Sequence, residues 1–306
     1  MRSAAKNCLW FVLLVGVARA DTLTIATYNI ENYTAANRMT EAGYRKDYPK
    51  PELEKQALRK VICSLNADLL VLQEVGPAAY LEELRRDLKA DGLDYPHAVL
   101  LDGPDADRHV ALLARRAPKN IRQYPGLEFT YFGAREKVKR GLLEATFATA
   151  AGDLTLFALH LKSRFTDRPD DPQSAIRRAG EATAVRDAVL RRFPEPATAK
   201  FLILGDCNDA RNATPIQHLL KRGKIEIARL LPAADARGET WTHVYRKEDS
   251  YSRVDHILVS PGCWAAATDG LARIYDGPSV REASDHRPVT VTLKLSEPQA
   301  GGAGYP

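Results

Sequence analysis

The pattern of apolar and polar positions predicts a strand, a helix and a second strand at the start of the chain. Residues 23–32 alternate like a half-buried strand, and Asn29 continues one of its faces at the end. From 52 to 65, apolar residues recur every four positions, which predicts an amphipathic helix. The run 68–75 is apolar on both faces and carries Glu74 near its end, so it predicts a central strand. This order is typical of a layered α/β fold.

Strands dominate the middle of the chain, after a second helix predicted over 78–88. These strands are 97–101, 108–116, 119–124, 142–150 and 154–163. Tight turns between them indicate antiparallel hairpins. The last strand ends with His160 and Lys162, which share a face and suit an anionic group, although a histidine at a strand end is also compatible with a structural role. A long helix is predicted to follow over 174–193.

The segment FLILGDCND, residues 201–209, has a pattern with clear chemical meaning. Four apolar residues predict a buried strand, and a glycine then frees the backbone. Asp206 and Asn208 follow two residues apart, so they leave an extended segment on the same side. A carboxylate and a carboxamide placed in this way suit a hard divalent cation or a phosphoryl oxygen. An Asp-rich turn is the structural alternative.

The last third of the chain predicts a short helix over 215–221 and three more strands. These strands are 239–245, 252–260 and 287–295. The second of them carries Asp255 in its middle, and Asp285 and His286 stand just before the third.

Polar residues therefore end or interrupt several strongly apolar strands. They are Asn29, Glu74, His160, Asp206, Asn208, Asp255, Asp285 and His286. Strand ends converge on one edge of an α/β sheet, where sites form. Carboxylates, amides and imidazoles gathered at one edge describe a site for an oxygen-ligated cation and a phosphoryl substrate.

Composition adds an export signal to this picture. The 306 residues are 45% hydrophobic and 27% charged, as in a globular protein. Residues 1–20 combine a basic start, a short apolar run and an A-x-A end, which predicts a signal peptide and a secreted or periplasmic protein. With no repeat or linker in view, we expect 21–296 to form one domain and 297–306 to be a disordered tail.

Charge gives only a local argument for a polyanionic partner. The formal net charge is +5, but the predicted signal peptide takes three basic residues with it, which leaves 41 basic against 39 acidic residues, or +2. Two segments are locally basic: 33–51, predicted as a loop with several tyrosines, and 135–141, where four of seven residues are basic. Both suit a polyanion, and the first is equally compatible with a solvated loop. We expect no exposed apolar hairpin of the kind that docks on a membrane.

At these positions the sequence resembles the deoxyribonuclease-I-like endonuclease/exonuclease/phosphatase superfamily, and most of all its exported bacterial nucleases. The matching segments, in the family's order, are TYNIEN at 27–32, LQEV at 72–75, ALHLKS at 158–163, GDCND at 205–209, SRVDHILVS at 252–260 and SDHRPV at 284–289. The resemblance implies a four-layer α/β sandwich, with two mixed sheets packed face to face and helices outside. It also implies phosphoester hydrolysis by water, assisted by Mg²⁺ or Mn²⁺, with Ca²⁺ as a third candidate.

The resemblance assigns roles residue by residue. The metal positions match Asn29, Glu74 and Asp285. The catalytic positions match His160, Asp206, Asn208, Asp255 and His286. His286 looks paired with Asp255, a contact that would fix its tautomer and raise its basicity. Either His286 or Asp206 could then take the proton from the attacking water.

Three more residues follow from the resemblance, more loosely. Asp107 stands where the family has a carboxylate that partners the second imidazole, here His160. Arg140 resembles a phosphate-contacting arginine, and Lys162 is a candidate substrate-binding residue. The sequence departs from the family at Cys207, where an aromatic residue is usual, and lacks the groove-contacting tyrosine of deoxyribonuclease I. The second departure weakens the case for duplex DNA as substrate.

These features predict an exported, metal-dependent nuclease acting on DNA or RNA, monomeric and without stable membrane association. The alternative is a phosphodiesterase or phosphatase on a lipid or small phosphoester, similar to a sphingomyelinase, because the same chemical core serves both. A binding module on an inactive scaffold is disfavoured by the intact core positions. The absence of G-x-S-x-G, H-E-x-x-H and Walker motifs argues against the corresponding hydrolase, metalloprotease and NTPase classes.

Overall fold

The computed structural model describes residues 20–40, 42–166 and 168–296. The predicted signal peptide, except for its last residue, and the predicted tail lie outside these ranges. Among the described helices, none combines the length and the apolar character needed to cross a membrane.

The described residues form five α-helices, two 3-10 helices and twenty-one strands, many of them short. The α-helices are α1 (Glu52–Leu65), α2 (Ala78–Ala90), α3 (Ala175–Arg192), α4 (Thr214–Leu220) and α5 (Val280–Ala283), and the 3-10 helices are Pro261–Ala266 and Thr268–Gly270. The strands are β1 (Ala20–Tyr33), β2 (Ala36–Thr40), β3 (Gly43–Tyr48), β4 (Leu69–Val75), β5 (His97–Leu100), β6 (His109–Ala114), β7 (Asn120–Tyr124), β8 (Glu128–Tyr131), β9 (Ala134–Lys137), β10 (Leu142–Thr149), β11 (Gly152–His160), β12 (Phe201–Asp206), β13 (Lys221–Arg222), β14 (Ile225–Glu226), β15 (Arg229–Leu230), β16 (Ala233–Ala234), β17 (His243–Tyr245), β18 (Ser250–Ser252), β19 (Asp255–Val259), β20 (Ala272–Ile274) and β21 (Val289–Ser296).

Two large mixed sheets organise the molecule. The first has the strand order β16-β20-β21-β1-β4-β6-β5, and β1 runs parallel to β4 but antiparallel to β21. The second has the order β15-β19-β12-β11-β10-β7, and β11 runs parallel to β12 but antiparallel to β10. Four short hairpins, β2–β3, β8–β9, β13–β14 and β17–β18, stand outside the two sheets.

The sheets pack face to face, and the helices cover their outer faces. Ile25 of β1 and Leu204 of β12 are fully buried in one core that contains residues of both sheets. On the other face of β1, Tyr28 packs in a second core with residues of α1 and α2. A third core joins the outer face of the second sheet, including Ile203, to α3 and α4. Strand alternation therefore produces four layers, and the predicted four-layer sandwich is confirmed.

The helices α1 to α4 begin and end within two residues of the predicted bounds, whereas three other predicted segments differ. Of the predicted strand 239–245, only His243–Tyr245 is a strand, and it joins neither large sheet. The predicted strand 252–260 is interrupted between β18 and β19, so only its second part joins the large sheet. The segment 33–51, predicted as a loop, contains the hairpin β2–β3. Most of its residues are partly or fully exposed, so the sequence lacks the apolar alternation that marks a half-buried strand.

This hairpin is mostly polar but exposes single apolar side chains. Met39 and Tyr44 lie opposite each other across β2 and β3, and they are 78% and 57% exposed. The hairpin presents single apolar residues among polar ones.

Gly205, the glycine of the central strand β12, should not tolerate a side chain. Its φ is +144°, and an added Cβ would lie 2.0 Å from the carbonyl oxygen of Leu159 on the neighbouring strand. We expect Gly205→Ala to lower the free energy of unfolding by roughly 3 kcal/mol or more, because strain and a backbone clash add. The matched control is Gly238→Ala, where φ is +85° but an added Cβ meets nothing within 4 Å, so only roughly 1–2 kcal/mol is expected. Equal losses in urea unfolding followed by circular dichroism would contradict this interpretation.

Candidate active site

Asp206 lies at the centre of the site, at the end of β12, and is almost fully buried. Asn29 lies near the end of β1, in the other sheet, and its Nδ2 donates to Asp206 Oδ2 at 3.0 Å. The backbone N–H of Asn208 donates to Oδ1 at 2.8 Å, and its side-chain amide donates to Oδ2 at 3.1 Å. Three hydrogen bonds therefore offset the cost of burying this carboxylate.

Strand pairing explains why His160, Asp206 and Asp255 meet. In the second sheet, His160 of β11 and Asp255 of β19 are the direct neighbours of Asp206 on either side. Side chains of paired residues point to the same face, so the three form one row. His160 Nε2 lies 3.4 Å from Asp206 Oδ2. His286, in the segment before β21, has its Nε2 3.9 Å from the same oxygen.

His286 is held by Asp255, the contact expected from the sequence. His286 Nδ1 lies 2.8 Å from Asp255 Oδ2, and both side chains are buried. Burial disfavours the imidazolium, but the charge and hydrogen bond of Asp255 outweigh it and raise the pKa of His286 well above its ordinary value. At neutral pH this ring therefore carries a positive charge, and its Nε2 points toward Asp206.

The pKa values of Asp206 and His160 are shifted mainly by burial. Burial, aided by the charge of Asp255, raises the pKa of Asp206 to about 7. Burial and the nearby charge of Arg140 hold the pKa of His160 well below its ordinary value, so this second imidazole is neutral. One site thus holds a charged and a neutral imidazole, because Asp255 outweighs burial at His286, whereas burial and Arg140 act in the same direction at His160.

Asp285 lies beside His286, and two residues that we did not predict from the sequence contact it. Its carboxylate lies 4.0 Å from His286 Nε2 and 3.7 Å from His243 Nε2, and its backbone N–H donates to Glu31 Oε2 at 3.0 Å. Burial would raise the pKa of Asp285, but the hydrogen bond from His243 and the charges of both histidines lower it. Asp285 is therefore an ionised carboxylate that is partly exposed.

Glu74 lies at the end of β4, beside the irregular end of β1. Its Oε2 accepts the backbone N–H of Asn32 at 2.9 Å, where the register between the two strands shifts. Glu74 has φ +64°, and Glu31 and Asn32 have φ +47° and +49°. Non-glycine residues in this region are strained, and such strain clusters at functional sites. Strand ends of this kind aim oxygen donors at the edge of the sheet.

The residues predicted as metal ligands fit a hard divalent ion by their donor chemistry. Asn29, Glu74 and Asp285 offer carboxylate and amide oxygens, which Mg²⁺ prefers. The carboxylate of Asp285 lies near two histidines. In the described residues, two groups of carboxylates and imidazoles have ligand atoms within 4.8 Å of one another, and Glu74 belongs to neither group. Asn29 donates through Nδ2, so its Oδ1 remains an acceptor, and it takes the N–H of Glu31 at 3.1 Å.

The opposite end of the site is basic. Arg140 is buried with its Nε 3.0 Å from Asp105 Oδ2. Burial and the charge of Arg140 lower the pKa of Lys162 to about 8. Glu181, fully buried, accepts the backbone N–H of Lys162 at 2.7 Å. A neutral imidazole, a guanidinium and an amine near one another suit phosphoryl oxygens.

The expected pairing of Asp107 with His160 is contradicted by the structure. Asp107 is exposed, whereas Asp105, two residues earlier, is buried and pairs with Arg140. Asp105 Oδ1 accepts the backbone N–H of Asp107 at 3.2 Å, a local turn that directs Asp107 outward. Sequence distance from the strand could not distinguish the two acids, because the turn decides which of them points inward.

The layered fold and this cluster of acids, amides and imidazoles define a metal-dependent phosphoester hydrolase. The chain belongs to the endonuclease/exonuclease/phosphatase family, whose model matches residues 26–286. None of the curated proteins compared matches the sequence.

Solved structures with the same fold come from several branches of life and carry different names. Sphingomyelinase C from Streptomyces griseocarneus is 15% identical, with a TM-score of 0.61, and the match covers 89% of this chain and 99% of the other. Truncated Caenorhabditis elegans TDP2 is 13% identical, with a TM-score of 0.60 and coverage of 89% and 97%. The human Nocturnin catalytic domain with bound sulfate is 15% identical, with a TM-score of 0.60 and coverage of 90% and 97%. Identities this low establish the fold alone.

Removing the divalent ion should abolish hydrolysis of a chromogenic phosphodiester, and Glu74 should set the ion's affinity. We expect EDTA to stop the reaction and added Mg²⁺ to restore it. Glu74→Gln should raise the Mg²⁺ concentration for half-maximal rate at least tenfold, roughly 1.4 kcal/mol, because an amide is a weaker donor than a carboxylate. Glu82→Gln makes the same change on the exposed side of α2 and should have no effect. An unchanged Mg²⁺ requirement in Glu74→Gln would exclude Glu74 as a ligand.

Asp255→Asn should lower both the pKa of His286 and the rate. The Asp255 carboxylate favours the imidazolium, so the neutral amide should bring the pKa of His286 down, as followed by NMR titration of the ring proton resonances. We expect kcat to fall by about 100-fold or more, the usual range for disturbing an acid–base group. Asp153→Asn, at an exposed pair with Lys119, is the control and should change neither quantity. A lower rate with an unchanged His286 pKa would mean that Asp255 acts in another way.

Proposed function

We propose that this protein is an exported nuclease that hydrolyses phosphodiester bonds of single-stranded or unpaired nucleic acid with Mg²⁺. The observation that carries this proposal is a pair of hairpins next to the site that expose cations and aromatic rings together. Cations follow a phosphate backbone, and aromatic rings stack on bases in a sequence-tolerant way. The signal-peptide pattern of residues 1–20 supports export.

The first hairpin, β2–β3, is tied to the metal end of the site. Arg38 donates to the carbonyl oxygens of Asn32 and Thr34, and Asn32 in turn contacts Glu74. Arg45 and Lys46 are exposed on β3, as are Tyr44 and Tyr48. A strand of nucleic acid entering the site from this side would meet positive charge and rings before it reached the metal ligands.

The second hairpin, β17–β18, borders the other side of Asp285. The backbone N–H of Val244 donates to the carbonyl oxygen of Asp285 at 2.9 Å, which fixes the hairpin against the site. A cavity of about 190 Å³ lies between this hairpin and α5. Its lining includes Trp241, Arg246, Tyr251, Arg281 and Asp285. Three guanidiniums, the third being that of Arg287, and two aromatic rings beside a candidate metal ligand suit the neighbouring nucleotide of a cleaved phosphodiester.

The charge state of each group suggests its part in the reaction. Asp206, with a pKa of about 7, takes the proton from the attacking water, whose oxygen forms the new bond to phosphorus as the leaving oxygen departs. His286, charged through Asp255, donates a hydrogen bond to the phosphoryl oxygens. His160, Arg140 and Lys162 bind those oxygens from the basic end. A divalent ion at Asn29, Glu74 and Asp285 would offset their negative charge.

A lipid phosphodiester is the second candidate substrate, and one observation favours it. Met39 in the β2–β3 hairpin and Phe165 after β11 are 78% and 83% exposed. Arg168 lies over the ring of Phe132, in the turn between β8 and β9. Exposed apolar side chains rimmed by cations also suit an anionic membrane surface. The fold is shared with a sphingomyelinase C, which is consistent with this alternative.

Charge reversal on the first hairpin tests whether an extended nucleic-acid substrate contacts it. We expect Arg45→Glu/Lys46→Glu to weaken hydrolysis of single-stranded DNA and RNA about tenfold at low salt and to reduce the dependence of log kcat/KM on log salt by about two. Hydrolysis of a small chromogenic phosphodiester should stay the same, because that substrate does not extend to the hairpin. Lys221→Glu/Lys224→Glu makes the same charge change on the exposed hairpin that follows α4 and should leave nucleic-acid cleavage unaffected.

The same proteins should be assayed on single-stranded DNA, RNA, plasmid DNA and sphingomyelin vesicles. Cleavage of the vesicle lipid without cleavage of any nucleic acid would overturn the nuclease proposal in favour of the second candidate. Asp206→Asn serves as the inactive control for every substrate. If the unaltered protein cleaves none of the four substrates, both candidates are refuted.

A further inference from the structure

A second group of metal-binding side chains lies next to the oxygen donors of the site. The ligand atoms of His243, Asp285 and His286 all lie within 4.8 Å of one another. His243 Nε2 is 3.7 Å from Asp285 Oδ2, and His286 Nε2 is 4.0 Å from Asp285 Oδ1. The two imidazole rings lie 4.6 Å apart between centroids. Two imidazoles and one carboxylate form a different donor set from the oxygens of Asn29 and Glu74.

Both rings are already oriented as metal ligands require. Asp255 holds Nδ1 of His286 at 2.8 Å, and Ser252 Oγ lies 3.4 Å from Nδ1 of His243. In each ring this contact leaves Nε2 free and turned toward the same carboxylate. A metal-bound histidine usually has its other nitrogen fixed in this way, often by a carboxylate.

The distances are close to those of a zinc-type site. Bonds of 2.0–2.1 Å in a tetrahedral geometry place neighbouring ligand atoms about 3.3 Å apart. The two observed nitrogen–oxygen separations, 3.7 and 4.0 Å to the two oxygens of Asp285, are longer than that value, and side-chain rotations would have to close the difference. Imidazole nitrogen suits Zn²⁺ and its neighbours in the first transition row, whereas Mg²⁺ prefers oxygen alone.

A second set of donors within 4.8 Å, Asp206, Asp255 and His286, is the weaker candidate. All three side chains are buried, and the contact between Asp255 and His286 already uses their facing atoms. In the first set, His243 and Asp285 are partly exposed, so an ion has a path to them and water could complete its coordination.

We propose that His243, Asp285 and His286 bind a late first-row transition-metal ion such as Zn²⁺, at a site distinct from the oxygen-donor site of the catalytic ion. The two sites share Asp285, and the ion occupies Nε2 of His286, the atom assigned to the phosphoryl oxygens. An ion bound there takes both a ligand of the catalytic ion and the nitrogen that contacts the substrate. Zn²⁺ should therefore inhibit the Mg²⁺-dependent reaction, whichever phosphoester is the substrate.

Co²⁺ is the direct probe, because its visible absorption reports nitrogen-rich, low-coordinate sites. We expect metal-free protein to show this absorption on Co²⁺ titration and Zn²⁺ to displace it. His243→Gln should weaken both ions at least tenfold, as measured by absorption and by calorimetry with Zn²⁺. The matched control is His218→Gln, whose ring contacts Thr183 on α3 and should leave binding unchanged. Thermal unfolding verifies that both variants are folded, and His243→Asn replaces His243→Gln if the latter is not.

Inhibition gives the second readout. The Zn²⁺ concentration that halves the Mg²⁺-dependent rate should rise at least tenfold in His243→Gln relative to His218→Gln. Co²⁺ and Zn²⁺ binding that is equal in the two variants would overturn the proposal. Failure of the proposed function gives a different result, since nucleic acid would then remain uncleaved while the metal titrations still separate the variants.

Discussion

The hydrogen bond from Asn29 to Asp206 is the contact on which the site depends. It joins the end of β1 in one sheet to the end of β12 in the other, at the edge of the core between the sheets. A buried carboxylate without partners would be costly, so the two sheets can close at this edge only if Asp206 is satisfied there. Asn208 supplies the remaining hydrogen bonds from the same strand end. The fold and the site are thus stabilised by the same few groups.

Around this contact the site divides into an acidic and a basic half. Asp206, Asp255 and Asp285 face His286 on one side, while Arg140 and Lys162 lie with His160 on the other. The two histidines have opposite pKa shifts although both are buried, because the charge of Asp255 outweighs burial at His286 and no such carboxylate outweighs it at His160. An acidic half attracts a cation and a basic half attracts phosphoryl oxygens. A phosphodiester bridging the two would be oriented before any bond changes.

The sequence could predict the residues that strand geometry fixes, and it failed where loops decide. Asp206 and Asp255 were recognisable because polar residues at the ends of apolar strands must find partners, and pairing in a sheet then places them side by side. Asp107 was chosen over Asp105 because nothing in the spacing reveals an inward turn. His243 was missed because it enters the site from a short hairpin outside both sheets. The β2–β3 hairpin was missed because its strands have no buried face.

His286 connects these observations, because three different carboxylates face one ring. Asp255 contacts Nδ1, which leaves Nε2, facing Asp206 and Asp285, to bind either a proton or a metal ion. A proton there makes the ring a cation that stabilises negative charge on a phosphoryl group. A transition-metal ion there, held also by His243, turns the same ring into a ligand and removes that charge. Oxygen ligands alone cannot make this distinction, so the histidines determine which divalent ions support the reaction and which oppose it.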